Sequence, residues 1–125
     1  MSDNPSRIIH TVDDDDDVRD SMRVLLESFG FTVRAFASAA EFLSHPESEK
    51  ADCLLLDLQM PGMTGLELLE QLRARGVRTP AILVTANDED LGSRPARAKV
   101  LTVLHKPVAD NELLQWIERA SVPLE

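Results

Sequence analysis

A chain of 125 residues is one domain's worth of sequence, and a domain of that size buries roughly two-thirds of the surface its unfolded chain exposes. With 43% hydrophobic and 28% charged residues it reads as a globular domain and not a disordered segment; no apolar run approaches the ~20 residues that span a bilayer, and MSDNPSR lacks the apolar stretch of a signal peptide. The net charge of −9 argues against nucleic acid as a direct partner and suits a cation or a basic protein.

Arg7–Val12 (RIIHTV) reads as a strand that runs straight into five aspartates, Asp13 to Asp17. Val18, Met22, Leu25, Leu26 and Phe29 follow at helical spacing, with Asp16 as expected N-cap, Asp17 in the first turn and Gly30 just past the end. Asp15 has no assigned role beyond solvation. Phe31–Phe36 alternates as a second strand, and Ser38 with Glu41 forms a capping box opening a short helix through Leu43. A polar loop over His45–Lys50, with Pro46, leads to Cys53–Leu56, a continuous apolar run expected of a strand covered on both faces. Cys53, the single cysteine, cannot form an internal disulfide, so a reducing cytoplasm is the expected setting. Pro61 and Gly62 mark a turn, and Thr64 with Glu67 opens a helix whose Leu66, Leu69 and Leu72 face the core before Gly76. Ala81–Val84 and Val100–Leu104 are two further strands. A last helix is expected from Asp110 as N-cap, burying Leu113, Leu114, Ile117 and Ala120. Over Asn87–Lys99, Gly92 and Pro95 interrupt any helix.

Five strand–helix alternations predict a three-layer α/β/α sandwich around a five-stranded parallel sheet in order 2-1-3-4-5. In such sheets ligands bind beyond the carboxyl ends of the strands. Strand one ends at Asp13 and Asp14, strand three at Asp57, strand four at Thr85 and strand five at His105-Lys106, whereas strand two offers only Ala37 and the Ser38 cap. Three carboxylates converging on one pocket repel one another, and a hard divalent cation would relieve that repulsion.

VDDD after strand one, LLLDLQMPGMTG around Asp57, VTA after strand four and HKP after strand five occur in the order found in the receiver domains of two-component response regulators. The chain resembles that family from about Arg7 to Ala120, and VDDDDDVRDSM and FASAAEFL are most similar to its FixJ-like subclass. The resemblance implies a single receiver domain over 1–125 with its core at about 7–120, of flavodoxin-like fold, that takes a phosphoryl group onto Asp57. It implies Mg²⁺ (or Mn²⁺) held by Asp14 and Asp57, by Asp13 through a water, and by the backbone carbonyl of Gln59. Lys106 would supply charge and Thr85 a hydroxyl to the phosphoryl oxygens. It implies a bacterial, cytoplasmic signalling domain that is no enzyme beyond assisting its own phosphorylation and dephosphorylation. Its partners would be a histidine kinase or phosphotransfer protein and a downstream protein or DNA-binding output domain, with no direct nucleic acid or membrane contact and with homodimerisation on phosphorylation as a further expectation. The length leaves no room for a second domain, so a stand-alone regulator and the N-terminal half of a longer one both fit, with SVPLE as the start of a linker.

The same residues admit other readings. The aspartate run alone fits a solvated, helix-capping loop, and its Asp-x-Asp-x-Asp spacing mimics a calcium loop, but Val18 stands where glycine is needed and Val24 where the bidentate glutamate belongs. A DxDxT phosphatase nucleophile is excluded at Asp57, because Asp57-Leu58-Gln59-Met60-Pro61 lacks the second acid and the threonine. His10, His45 and His105 are left out of the site, and Arg94, Arg97 and Lys99 read as a solvated basic face. A receiver-like interaction or dimerisation module that needs no phosphorylation is the alternative function, and a small metal-dependent phosphatase the third. The chain departs from its relatives at Val103, where receivers usually carry an aromatic residue three positions before the lysine, and it lacks the usual Gly-Ala pair before strand five. A short, irregular or mobile helix four between about Asp88 and Lys99 and a cis Lys106–Pro107 bond complete the expectations.

Overall fold

The computed structural model describes residues 7–87 and 90–120. Elements alternate as β1 (Ile8–Val12), α1 (Asp16–Ser28), β2 (Thr32–Phe36), α2 (Ala39–Ser44), β3 (Cys53–Asp57), α3 (Gly65–Ala74), β4 (Ala81–Thr85), α4 (Arg94–Arg97), β5 (Thr102–His105) and α5 (Asp110–Ala120). The strands form one parallel sheet in the order β2-β1-β3-β4-β5. β3 and β4 are buried at every residue, as central strands covered on both faces must be, while edge strand β2 buries only Phe36.

Each face of the sheet has its own core. Ile9, Cys53, Leu55, Ile82, Val84 and Leu104 pack with Leu26 of α1 and with Leu113 and Ile117 of α5. Val12, Phe36, Leu54, Leu56 and Leu83 pack with Phe42 of α2 and with Leu66, Leu69 and Leu72 of α3. The Cys53 thiol is pushed up to about 12 by burial, so it is a small core residue here and not a nucleophile.

Several expected boundaries move, each for a local reason. Asp15 is the N-cap of α1 in place of Asp16: its Oδ1 accepts from the N–H groups of Asp17 at 2.9 Å and Val18 at 3.1 Å. Asp16 instead pairs with Arg19 one turn on. Phe29 is the C-cap of α1 and 51% exposed, so it lies outside the buried stripe. The Ser38 hydroxyl caps α2 through Glu41 N–H, but the reciprocal Glu41 carboxylate reaches Ala37 N–H instead of Ser38. Around Thr64 and Glu67 both arms of the box close. Asp110 falls inside α5, because Leu113 N–H donates to the Ala109 carbonyl. Of the residues expected to be buried on α5, Leu114 and Ala120 are only half-buried.

β5 begins at Thr102, not Val100. Lys99 at φ 58 turns the chain out of α4, and Val100 N–H still donates to the Pro95 carbonyl, so pairing with β4 starts only at Leu101 N–H to the Ala81 carbonyl. α4 is one turn long, as Gly92 and Pro95 predict; residues 88 and 89 of that segment lie outside the described residues. Two arginines tie it to α3. Arg73 donates to the carbonyls of Ala98 (2.8 Å), Lys99 (3.5 Å) and Val77 (2.9 Å), and Arg94 forks onto Glu70 at 3.0 and 2.8 Å.

Candidate functional site

The register of the sheet brings the expected residues to one edge. Thr11 and Val12 lie beside Leu55 and Leu56, Asp57 beside Val84, and Thr85 beside His105. The chain therefore leaves β1, β3, β4 and β5 at the same end, and Asp13, Asp57, Thr85 and Lys106 follow or close those strands.

Asp13 and Asp57 are 7% and 4% exposed, whereas Asp14 faces solvent. One carboxylate oxygen from each of Asp13, Asp14 and Asp57 lies within 4.8 Å of the others. Asp13 and Asp57 are held alike: each turns Oδ1 to the backbone N–H two residues on, Asp15 at 2.9 Å and Gln59 at 3.1 Å. Each turns Oδ2 to the Lys106 ammonium, at 3.2 Å from Asp13 and 3.5 Å from Asp57. Lys106 thus stands between the two acids, on a chain that leaves β5 through a cis Lys106–Pro107 bond.

Burial, reinforced by the negative charge of Asp13 and only partly offset by Lys106, pushes the Asp57 carboxyl up from 3.8 to about 6. Burial works against the Lys106 ammonium, but the carboxylates of Asp13 and Asp57 outweigh it and raise its pKa. One cation does not neutralise three acids. The all-oxygen donor set and the penalty on ionised Asp57 together fit a hard divalent ion such as Mg²⁺ or Mn²⁺.

Three residues of this site carry roles that their motifs did not reveal. Gly65 is the first residue of α3, and a Cβ there would come within 2.4 Å of the Asp57 carbonyl oxygen, so only glycine lets α3 pack against the end of β3. Its sequence signal is the glycine that follows Thr64 inside the capping box. Arg19 reaches back from α1 to donate to the Asp13 carbonyl at 2.8 Å and fixes the β1–α1 turn. The Gln59 side chain crosses to β4, where Nε2 donates to Thr85 Oγ1 at 2.7 Å and Oε1 accepts from Ala86 N–H at 2.8 Å.

His10 and His45 lie among core aromatics, away from the acids. His10 is buried against Phe36 and Phe42 with its Nδ1 on the Ser48 carbonyl, and His45 packs on Phe36. Below the acids a cleft of about 720 Å³ opens between α1 and α5, lined by Val18, Met22, Leu25, Val108 and Leu113. The buried Thr11 hydroxyl on its floor has no hydrogen-bond partner among the described residues.

The family model described as response regulator receiver domain matches residues 9–118. The chain is similar to the transcriptional regulatory protein FixJ of Azorhizobium caulinodans, at 38% identity over 115 residues that cover 91% of this chain and 54% of that protein. It is similar to the response regulator protein TodT of Pseudomonas putida, at 34% over 121 residues covering 96% and 53%. The chain spans about half the length of these curated relatives. Among solved structures it superposes on the response regulator StyR with a TM-score of 0.85 at 39% identity, covering 93% of this chain and 59% of that one. On FixJ-N the TM-score is 0.83 at 31% identity, with 97% and 100% covered.

Proposed function

This chain belongs to the response regulator receiver domain family, and on that premise we propose that it accepts a phosphoryl group on Asp57 from a histidine kinase or phosphotransfer protein. The observation that carries the reading is the pairing of a buried carboxylate with a cation that faces it: Asp57 is 4% exposed, its Oδ2 looks at Lys106, and two further acids stand beside it.

A carboxylate oxygen of Asp57 attacks phosphorus, the P–N bond of the donor phosphohistidine breaks, and the imidazole leaves with that electron pair. The product is an acyl phosphate. Such a transfer needs positioning and charge neutralisation more than covalent chemistry. The Asp57 Oδ1 bond to Gln59 N–H fixes the rotamer and leaves Oδ2 for attack. Lys106 swings from the acids onto a phosphoryl oxygen, and the Thr85 hydroxyl takes another. Asp13, Asp14, Asp57 and the Gln59 backbone carbonyl would hold Mg²⁺ or Mn²⁺, which supplies the remaining positive charge when bound.

The domain is a signalling device, with chemistry confined to its own phosphorylation and dephosphorylation. Residues from about 7 to 120 work as one receiver unit in the bacterial cytoplasm, and its surface after phosphorylation selects a downstream protein, a DNA-binding output domain or a second copy. The acidic charge of −9 supports a basic protein surface as partner over nucleic acid.

Incubation with acetyl phosphate followed by intact-mass measurement tests this. One phosphoryl group adds, only with Mg²⁺ or Mn²⁺, and Asp57→Asn abolishes the addition. Equal modification of the Asn variant overturns Asp57 as acceptor. A wild-type chain that takes up nothing under any metal condition favours the phosphorylation-independent module.

A further inference from the structure

The Thr85 hydroxyl is already saturated. It is 2% exposed, donates its one proton to the Asn87 carbonyl at 3.0 Å, and accepts from Asn87 N–H at 3.1 Å and from Gln59 Nε2 at 2.7 Å. The next backbone donor, Ala86 N–H, is taken by Gln59 Oε1 at 2.8 Å. One primary amide therefore engages both polar groups at the end of β4. The same residue binds Asp57 through its own backbone N–H, at 3.1 Å. Gln59 links the acceptor carboxylate on β3 to the hydroxyl on β4.

We infer that the Gln59 side chain is a latch that holds Thr85 and Ala86 in the unmodified arrangement and must release both when Asp57 is phosphorylated. Gln59 is a positioning residue in this account, and the inference rests on Asp57 being the acceptor. The amide suits the task because it is neutral and adds no charge beside three carboxylates, while offering one acceptor and one donor in a fixed plane. An anionic phosphoryl oxygen is the stronger acceptor, since charge-assisted hydrogen bonds are roughly twice as strong as neutral ones. The exchange is thus favoured once that oxygen arrives and not before. Two neutral hydrogen bonds bias the closed arrangement by about fivefold to hundredfold.

The test uses the full ¹⁵N-labelled chain. In the unmodified wild type the Gln59 side-chain NH₂ and the Ala86 amide exchange slowly. Gln59→Leu, an apolar side chain one atom shorter that can make neither bond, speeds Ala86 exchange roughly fivefold or more and leaves Leu58, whose N–H donates to the Val84 carbonyl, unchanged. After acetyl phosphate and Mg²⁺, the wild-type Gln59 NH₂ loses its protection and the Ala86 resonance shifts. Intact mass on the same sample reports phosphoryl uptake. Uptake with the Gln59 NH₂ still protected, or an Ala86 exchange rate indifferent to Gln59→Leu, overturns the latch and leaves the acceptor reading standing. No uptake overturns the acceptor reading and the latch with it. If the Leu variant does not fold, the wild-type comparison decides alone.

Discussion

At the scale of single residues, the five aspartates divide their labour. Asp13 and Asp14 offer oxygens to the acidic pocket, Asp15 caps α1, Asp16 pairs with Arg19, and Asp17 sits in the first helical turn, where a negative charge is favourable. The most costly charge is that of Asp57. Its folded pKa of about 6 exceeds the ordinary 3.8, so between those values the native state binds more protons than the unfolded chain. That contribution to stability is fully present below about pH 4 and is lost as pH rises through about 6. Ionised Asp57 therefore costs on the order of 3 kcal/mol at neutral pH without metal. Asp57→Asn should stabilise the domain by that order at neutral pH in chelator, with no gain below about pH 4. Urea unfolding at the two pH values measures it, and an equal effect at both would show that the charge is not what the variant relieves.

At the scale of elements, α3 and α4 are positioned by contacts that a linear pattern does not display. α3 approaches β3 so closely that Gly65→Ala has to move the Asp57 carbonyl or the helix, because the obstacle is backbone and cannot rotate away. A loss of about 1–3 kcal/mol in chemical denaturation is expected, with slower phosphorylation as Asp57 shifts; an unchanged midpoint would contradict the close approach. α4, at four residues, is too short to sustain itself as a helix and depends on Arg73 and Arg94. No aromatic ring at Val103 is available to move, so switching on this side is expected to run through ordering of the segment that contains α4. Amides of residues 90–99 should exchange faster than those of α1 and α3 before phosphorylation and slow after it. Protection equal to α1 and α3 beforehand would remove that route.

At the scale of the whole molecule, the alternation of five apolar runs with amphipathic stretches made the sheet and its order legible, because buried parallel strands and their crossovers leave few other topologies. The strand-end residues were legible for the same reason: knowing where strands stop tells which side chains meet at one edge. What the sequence withheld depends on distance across the fold. Whether Asp15 or Asp16 caps α1 turns on a one-residue choice between equivalent side chains. The Gln59 amide could be connected to Thr85 only once β3 and β4 were side by side. Arg73 looked like any helical arginine until the carbonyls ending α4 lay within its reach. On the proposed function the chemistry converges on one acid among many. Reducing the phosphorylated chain with borohydride converts an aspartyl phosphate to homoserine, and peptide sequencing then identifies the position. Homoserine is expected at position 57 alone; homoserine at 13 or 14, or none in a sample whose mass shows a phosphoryl group, would overturn Asp57 as the acceptor.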